Sequence, residues 1–333
     1  MKITGNQINK LLAYGREIDP SGQAPEIEKI AGLFPRGYMS IIASAPGTGK
    51  TWLTLLLSAQ LSTGGTILAG LAESKPQKVI LMSGETGRSI LEARISQTAW
   101  PVEQKNFLIF DALEMGADGI DYMLNTAQGQ ENIIAITANL KPDLLIFDTL
   151  ISFHTLDESK QGDMTKIFIF LNRLAKSFNC AVLCNHHTRK RPSDAPNREQ
   201  NQDDVIGSSA GIRLASSIYL ITSKDSEAGN SIMTVKNAKA WDKKIPPFSY
   251  SFTTREGKTD FEVNLNVNSI WSSKTRIEKI IADIDNNSIL RPKELSKALN
   301  ISERLTRDNL ERFTEAKILN RVIFNGDIAY KKC

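Results

Sequence analysis

Cysteine is scarce in this chain, long apolar runs are missing, and charge of one sign is nowhere massed. Three cysteines in 333 residues cannot build a disulfide framework. Cys180 and Cys184 share one apolar stretch without the second pair a zinc site would need, so both read as buried, reduced thiols. No segment approaches the ~20 apolar residues of a membrane span, which points away from a membrane protein. The N-terminal Met1-Lys2-Ile3-Thr4-Gly5 lacks the basic, apolar and small-residue blocks of a signal peptide, and a cytoplasmic location is the expectation. The net charge is only +4, and its distribution is uneven. From Ser273 onward lie thirteen of the 41 basic and nine of the 37 acidic residues, leaving the rest balanced at 28 of each. An excess this small carries little by itself toward a nucleic-acid partner.

What is present is most specific between Ser40 and Thr54, S-I-I-A-S-A-P-G-T-G-K-T-W-L-T. A short apolar strand runs into a glycine-bearing turn, then Lys-Thr and a helical pattern, the arrangement that binds the phosphates of ATP or GTP. Gly47 and Gly49 permit backbone conformations that a Cβ hinders, so successive N–H groups of Ala45, Pro46, Gly47, Thr48, Gly49, Lys50, Thr51 and Trp52, proline excepted, can wrap an anion. Lys50 adds positive charge near the β and γ phosphates. The Thr51 hydroxyl can ligate Mg2+, and the helix that follows turns its positive end to the same place. Ser44 stands where the usual pattern has glycine; its small hydroxyl side chain is expected to fit.

A length of 333 residues favours more than one folding unit. Strands are expected at Met39–Ala43, Lys78–Met82, Phe107–Phe110, Leu144–Asp148, Ala181–Asn185 and Ser217–Ile221. Helices are expected at Thr51–Leu61, Ser89–Ala99, Ile120–Leu140 and Met164–Phe178. Their alternation predicts an α/β fold with a central, mostly parallel sheet. Short strands near Ser231–Lys236, Phe248–Thr253 and Phe261–Leu265 then extend the sheet antiparallel. Thr188–Asp204 has no apolar periodicity and carries Arg189, Lys190 and Arg191, a surface loop that is either a plain solvated connection or one that grips a ligand.

Two strand ends carry carboxylates. The apolar strand Leu144–Asp148 delivers Asp148 to its C-terminal end, where it can hold Mg2+. The strand before Gly84 delivers Glu85 to the same edge, where it can accept a proton from the water that attacks a γ-phosphate. Its alternative is service to a helix N-terminus. His186 and His187 end a third strand, where a histidine could sense the γ-phosphate; consecutive strand residues point to opposite faces, so at most one of the two meets a nucleotide.

The order of these pieces resembles the RecA-like ATPases and, among them, the plasmid RepA-type hexameric replicative helicases. It is carried by A-S-A-P-G-T-G-K-T at 43 to 51, G-E-T-G-R at 84 to 88, and L-L-I-F-D-T-L at 144 to 150. F-H-T-L-D-E-S at 153 to 159, N-H-H-T-R-K at 185 to 190 and G-S-S-A at 207 to 210 continue it. The resemblance covers about residues 28–265 and implies a RecA-like P-loop ATPase domain there, after an N-terminal segment 1–27. It implies an ATP- and Mg2+-dependent ring, with hexamers expected, nucleotide at subunit interfaces and single-stranded DNA in a central channel. It assigns phosphate binding to Lys50, metal to Thr51 and Asp148, the base to Glu85 and the sensor to His186. Where family members have an arginine finger after G-S-S-A this chain has Ser216, so the trans-acting cation falls to Arg213, Lys236 or Lys239.

After a polar linker at 266–274, residues 275–333 offer an amphipathic segment at Arg276–Ile284, two helices across 291–320 with a break at Asn300-Ile301-Ser302, and a hairpin around Asn325-Gly326. This order resembles a winged helix-turn-helix domain. Arg304, Arg307 and Arg312 are its candidates for duplex DNA, although interleaved acids also suit a protein-docking role. Three functions compete: an ATP-driven DNA motor of a plasmid, phage or mobile element; an ATP-switched DNA-binding regulator or recombinase-like ATPase without unwinding activity; and a small-molecule phosphotransferase, which the helicase-like motif order disfavours.

Overall fold

The computed structural model describes residues 27–188, 201–205, 209–225, 231–242, 244–265, 281, 289–299, 303–315, 318–324 and 327–332. The segment 1–26, the basic triplet Arg189, Lys190 and Arg191, the linker 266–274, most of the amphipathic segment 276–284, the break at 300–302 and the turn 325–326 lie outside the described residues. No helix among the described residues is long and apolar enough to cross a membrane.

The first unit is built on a nine-stranded sheet. Two short strands, β1 (Lys29–Ile30) and β2 (Phe34–Pro35), precede β3 (Met39–Ser44), which leads through the glycine turn into α1 (Lys50–Thr63). A small hairpin, β4 (Gly65–Ile67) and β5 (Ala72–Ser74), is followed by β6 (Val79–Ser83), α2 (Arg88–Ser96), β7 (Phe107–Asp111) and the short α3 (Ala112–Ala117). Then come α4 (Ala127–Leu140), β8 (Leu144–Asp148), α5 (Gln161–Phe178), β9 (Ala181–His187), α6 (Ser209–Leu214) and β10 (Ser217–Asp225). The chain closes the sheet with β11 (Ser231–Ala240), β12 (Phe248–Arg255) and β13 (Lys258–Asn264). The order across the sheet is β13-β12-β11-β10-β3-β9-β8-β6-β7. Pairing is parallel from β10 to β7 and antiparallel from β10 to β13.

Alternation along each strand builds two cores. Ile42, Val79, Leu81, Leu144, Ile146, Ala181 and Leu183 face α1 and α2, which contribute Leu53, Leu57, Leu61 and Leu91. Met39, Ile41, Ile80, Met82, Leu145, Phe147, Val182 and Cys184 face α4 and α5. With both faces covered, the central strands are near-continuous apolar runs rather than apolar at every second position. Cys180 and Cys184 are buried free thiols, and burial pushes the Cys180 thiol up to about 11. In α5 the residues Met164, Ile167, Phe168, Leu171, Leu174 and Ala175 recur at helical spacing and bury one stripe on the sheet.

Two helices differ from the sequence expectation. The helix expected from Ile120 begins at Ala127 because Asp121 accepts hydrogen bonds from the Met123 N–H at 2.8 Å and the Thr126 hydroxyl at 2.7 Å, turning the chain there. Thr126 then caps α4 by accepting the Gly129 N–H at 3.0 Å. The helix expected to reach Ala99 stops at Ser96, and the Gln97 carbonyl instead accepts the Thr259 N–H at 2.7 Å.

The C-terminal elements form a second, small assembly. Strand β14 (Ile289–Leu290), helices α7 (Pro292–Leu299) and α8 (Glu303–Glu315), and the hairpin β15 (Leu319–Phe324) and β16 (Asp327–Lys332) follow in order. The three strands pair as β14-β16-β15. Ile281, Leu290, Leu295, Leu310, Phe313, Leu319 and Tyr330 close its core.

Candidate functional site

The site lies at the C-terminal edge of the parallel strands, where β3, β6, β8 and β9 end side by side. Gly49, at φ 81°, is the N-cap of α1; the first turn contains no acid and no side chain caps it. Its leading N–H groups therefore face the loop with the positive end of the helix dipole, a ready anion site. Ser44 supplies what the missing glycine does not: its hydroxyl accepts from Lys50 Nζ at 2.9 Å and contacts the Thr48 hydroxyl. Lys50 Nζ also donates to the Ser44 and Ala45 carbonyls at 3.2 and 3.3 Å, lying across the loop. Burial lowers the Lys50 ammonium to about 8, with Asp148 and Glu85 pulling the other way.

Asp148 is almost fully buried at the end of β8. Burial raises its carboxyl, opposed by the Asn185 and Thr51 side chains. Its Oδ1 is buried without a hydrogen-bond partner, and Thr51 follows Lys50 directly. An orphaned carboxylate oxygen beside a hydroxyl fits a hard cation that takes oxygen ligands, as Mg2+ does. The described residues contain no cluster of three or more His, Cys, Asp or Glu that could hold a metal by themselves. The donor set thus suits a metal that takes most of its ligands from water and a phosphate ester rather than from a protein cage.

Glu85 reaches the same place from β6. Gly84 makes this possible, because a Cβ there would collide with the Ser152 side chain, and its N–H is held by the Asp148 carbonyl at 2.9 Å. The Glu85 carboxylate accepts from the Thr149 hydroxyl, and Glu85 Oε1 lies 3.6 Å from His187 Nε2.

The sequence reading places His186 at the site; the structure brings His187, not His186, beside Lys50 and Glu85. His187 Nδ1 lies 3.5 Å from Lys50 Nζ, so the ring bridges the lysine and the glutamate. With Nδ1 accepting from the ammonium, the Nε2–H faces Glu85. His186 is 3% exposed and points to the opposite face of the sheet. Its Nδ1 accepts the His187 backbone N–H at 2.8 Å, and its Nε2 lies 3.3 Å from Glu158 Oε1. His154 Nε2 lies 3.8 Å from the same oxygen. Burial drives His186 down to about 3, lowers His154 and raises Glu158, so the two imidazoles are held toward their neutral form on the face away from Lys50. The signal was present in the strand period: Ala181, Leu183 and His187 share the α1 face, and Asn185 between them donates to Thr54 Oγ1 on α1 at 2.8 Å.

Trp52 belongs to an aromatic cluster beside the loop: Phe252 lies 5.1 Å away, Trp100 packs edge-on at 6.2 Å, and the Arg94 guanidinium sits 5.6 Å from the indole. Among the trans-cation candidates, Arg213 is exposed at the end of α6. Lys239 donates to the Ile212 and Arg213 carbonyls at 2.5 and 3.0 Å, capping that helix end, and pairs in register with Ile218 at the far end of β10 from the phosphate loop. Lys236 pairs with Leu220, level with Ala43 near the loop. In the C-terminal assembly Arg307 makes an ion pair with Glu303 at 3.1 Å; the side chains of Arg304 and Arg312 lie outside the described residues.

Residues 18–193, just over half the chain, match the model of the AAA domain family. The chain belongs to that family. The matched span holds the phosphate loop, Glu85, Asp148 and both histidines. Among solved structures, a DnaB-like replicative helicase, described with its interactions with primase, superposes with a TM-score of 0.52 at 16% identity, over 76% of this chain and 70% of that one. This likeness shows a RecA-like P-loop fold. A KaiC-like protein of Pyrococcus horikoshii OT3 matches at a TM-score of 0.47 and 13% identity, over 71% and 100% of the two chains.

Proposed function

We propose that this protein is an ATP-hydrolysing motor on DNA, a RepA-type replicative helicase of a plasmid, phage or mobile element. The observation that carries the reading is the convergence of Lys50, Glu85, His187 and Asp148 on one strand edge around a helix N-terminus. The likeness to a DnaB-like replicative helicase supports the direction toward replication. Lys50 and the N–H groups from Gly47 to Thr51 bind the phosphates. Thr51 and Asp148 would hold Mg2+, which when bound neutralises charge on the β and γ phosphates. Glu85 accepts the proton of the attacking water, and His187 keeps that carboxylate in register with Lys50. A cation from a neighbouring subunit completes the site in a hexameric ring; Arg213, Lys236 and Lys239 are the candidates, Lys236 standing level with Ala43 near the loop and Lys239 at the far end of β10. Single-stranded DNA in the channel would meet Arg189, Lys190 and Arg191. The C-terminal unit reads as a winged-helix domain, with Arg304, Arg307 and Arg312 as its candidates for contact with duplex DNA.

Lys50→Ala tests the reading. It is expected to abolish ATP hydrolysis and unwinding of a forked duplex while retaining the fold by circular dichroism. Mass measurement with an ATP analogue and single-stranded DNA is expected to show a ring. DNA-stimulated hydrolysis without strand separation would favour the regulator or recombinase-like ATPase, and a strict monomer would remove the motor.

A further inference from the structure

We infer that Tyr250, on the antiparallel extension of the sheet, is a positioning residue for the phosphate loop. The inference rests on the loop being a nucleotide site, as proposed above. Tyr250 is 1% exposed, and a buried phenol must spend its O–H on an acceptor. It donates to the Gly49 carbonyl at 3.1 Å and lies 3.4 Å from the Thr48 carbonyl. In a trans peptide the N–H points opposite to the C=O. Holding the Thr48 and Gly49 carbonyls toward β12 therefore turns the Gly49 and Lys50 N–H groups away from it, into the hollow of the loop.

Two further observations fix the latch. The Gly49 carbonyl also accepts the Leu53 N–H at 3.1 Å, so the same oxygen anchors both the extension and the first turn of α1. A Cβ on Gly49 would lie 3.1 Å from Phe252 Cε1 and 3.4 Å from the Tyr250 hydroxyl, so the wall is closed against the loop. The Tyr250 ring stacks on Phe261, centroids 5.3 Å apart and planes 8° from parallel. The extension thus reaches past β10 and β11 to grip the turn that follows β3. Strands β12 and β13 do more than widen the sheet.

The experiment compares Tyr250→Phe, which removes only the hydroxyl, with Phe261→Leu, which loosens the stack and keeps it. Full-length protein is measured three ways: hydrogen exchange of the amides from Thr48 to Lys50 without nucleotide, affinity for Mg-AMP-PNP, and Tm. Tyr250→Phe is expected to speed exchange in the loop and weaken affinity, each by about fivefold, roughly the worth of one hydrogen bond. Phe261→Leu is expected to lower Tm at least as much with affinity within about twofold of wild type, the scatter allowed for a change that leaves the hydrogen bond intact. Wild-type exchange and affinity in Tyr250→Phe would overturn the latch, as would equal weakening in both variants at equal loss of Tm. Wild-type protein that binds no nucleotide would overturn the functional reading instead, while the exchange comparison would still decide the latch.

Discussion

Replacing each histidine of the His186-His187 pair separates two roles that one dipeptide combines. His187→Ala removes the ring lying 3.5 Å from Lys50 and 3.6 Å from Glu85. A general base contributes about 10²- to 10⁴-fold, and a residue that only steadies the base controls part of that, so kcat should fall by roughly 10- to 100-fold. The KM for ATP should change little, because Lys50 and the loop amides remain. His186→Ala acts on the other face. It leaves the Glu158 carboxyl, already raised by burial, without the neighbour 3.3 Å away, and opens a cavity beside His154. The expected cost is about 1–3 kcal/mol of stability, with kcat per folded molecule close to wild type. Steady-state ATPase assays and urea melts on both variants make the measurement. A folded His186→Ala protein that loses 100-fold in kcat while His187→Ala stays within twofold would refute the assignment of the site to the α1 face.

Two other outcomes follow from buried charge. His186, held near 3, and His154, also lowered, stay neutral in the fold while their unfolded counterparts take up protons below about pH 6.5. The unfolded state then binds more protons, so stability falls as pH drops below about 6.5, by up to about 1.4 kcal/mol per pH unit for His186 down toward its folded value of about 3, with His154 adding a loss of the same sign. Glu158, raised by burial, works with the opposite sign, being protonated in the fold before it is in the unfolded chain, and offsets part of the loss below its folded pKa. Urea melts at pH 7 and pH 5 should show the decline, and His186→Asn should flatten it. Separately, Asp148→Asn removes a buried carboxylate with an unpartnered oxygen, so it should raise the Tm of the nucleotide-free protein while abolishing Mg2+-dependent hydrolysis. A lowered Tm with activity intact would contradict both halves.

Much of the first unit was legible because its physics is local. Every central strand from Met39 to Ser217 was found within a residue or two at its start, since doubly covered strands are apolar runs bounded by polar residues. The antiparallel extension was also anticipated. The elements that were missed depend on particular side chains rather than on period. Asp121 delays α4, and the hairpin from Gly65 to Ser74 follows Gly64, where a Cβ would strike Pro76. Lys50 stands out through the glycine turn and Lys-Thr that follow a strand, and Glu85 and Asp148 because each sits at or just beyond the end of an apolar strand. Tyr250 could not, because its partner is about 200 residues earlier and nothing in F-S-Y-S-F marks a phenol that reaches a backbone carbonyl.

The choice between the two histidines was decided by a rule already in hand. In β9 the odd-numbered residues Ala181 and Leu183 pack against α1, and the even-numbered Val182 and Cys184 pack against α5. Further along the strand, the same parity sends His187 to the side of Lys50 and His186 to the side of Glu158, in agreement with the distances. Helix α1 marks the face of β9 on which His187 meets Lys50. Glu85 sits on the loop that leaves β6, where the strand period no longer holds, and there the geometry comes instead from Gly84 and from the Asp148 carbonyl that holds its N–H. A strand's period therefore predicts side-chain direction only as far as its last paired residue; beyond it, the close backbone approach that Gly84 permits takes over the positioning of Glu85.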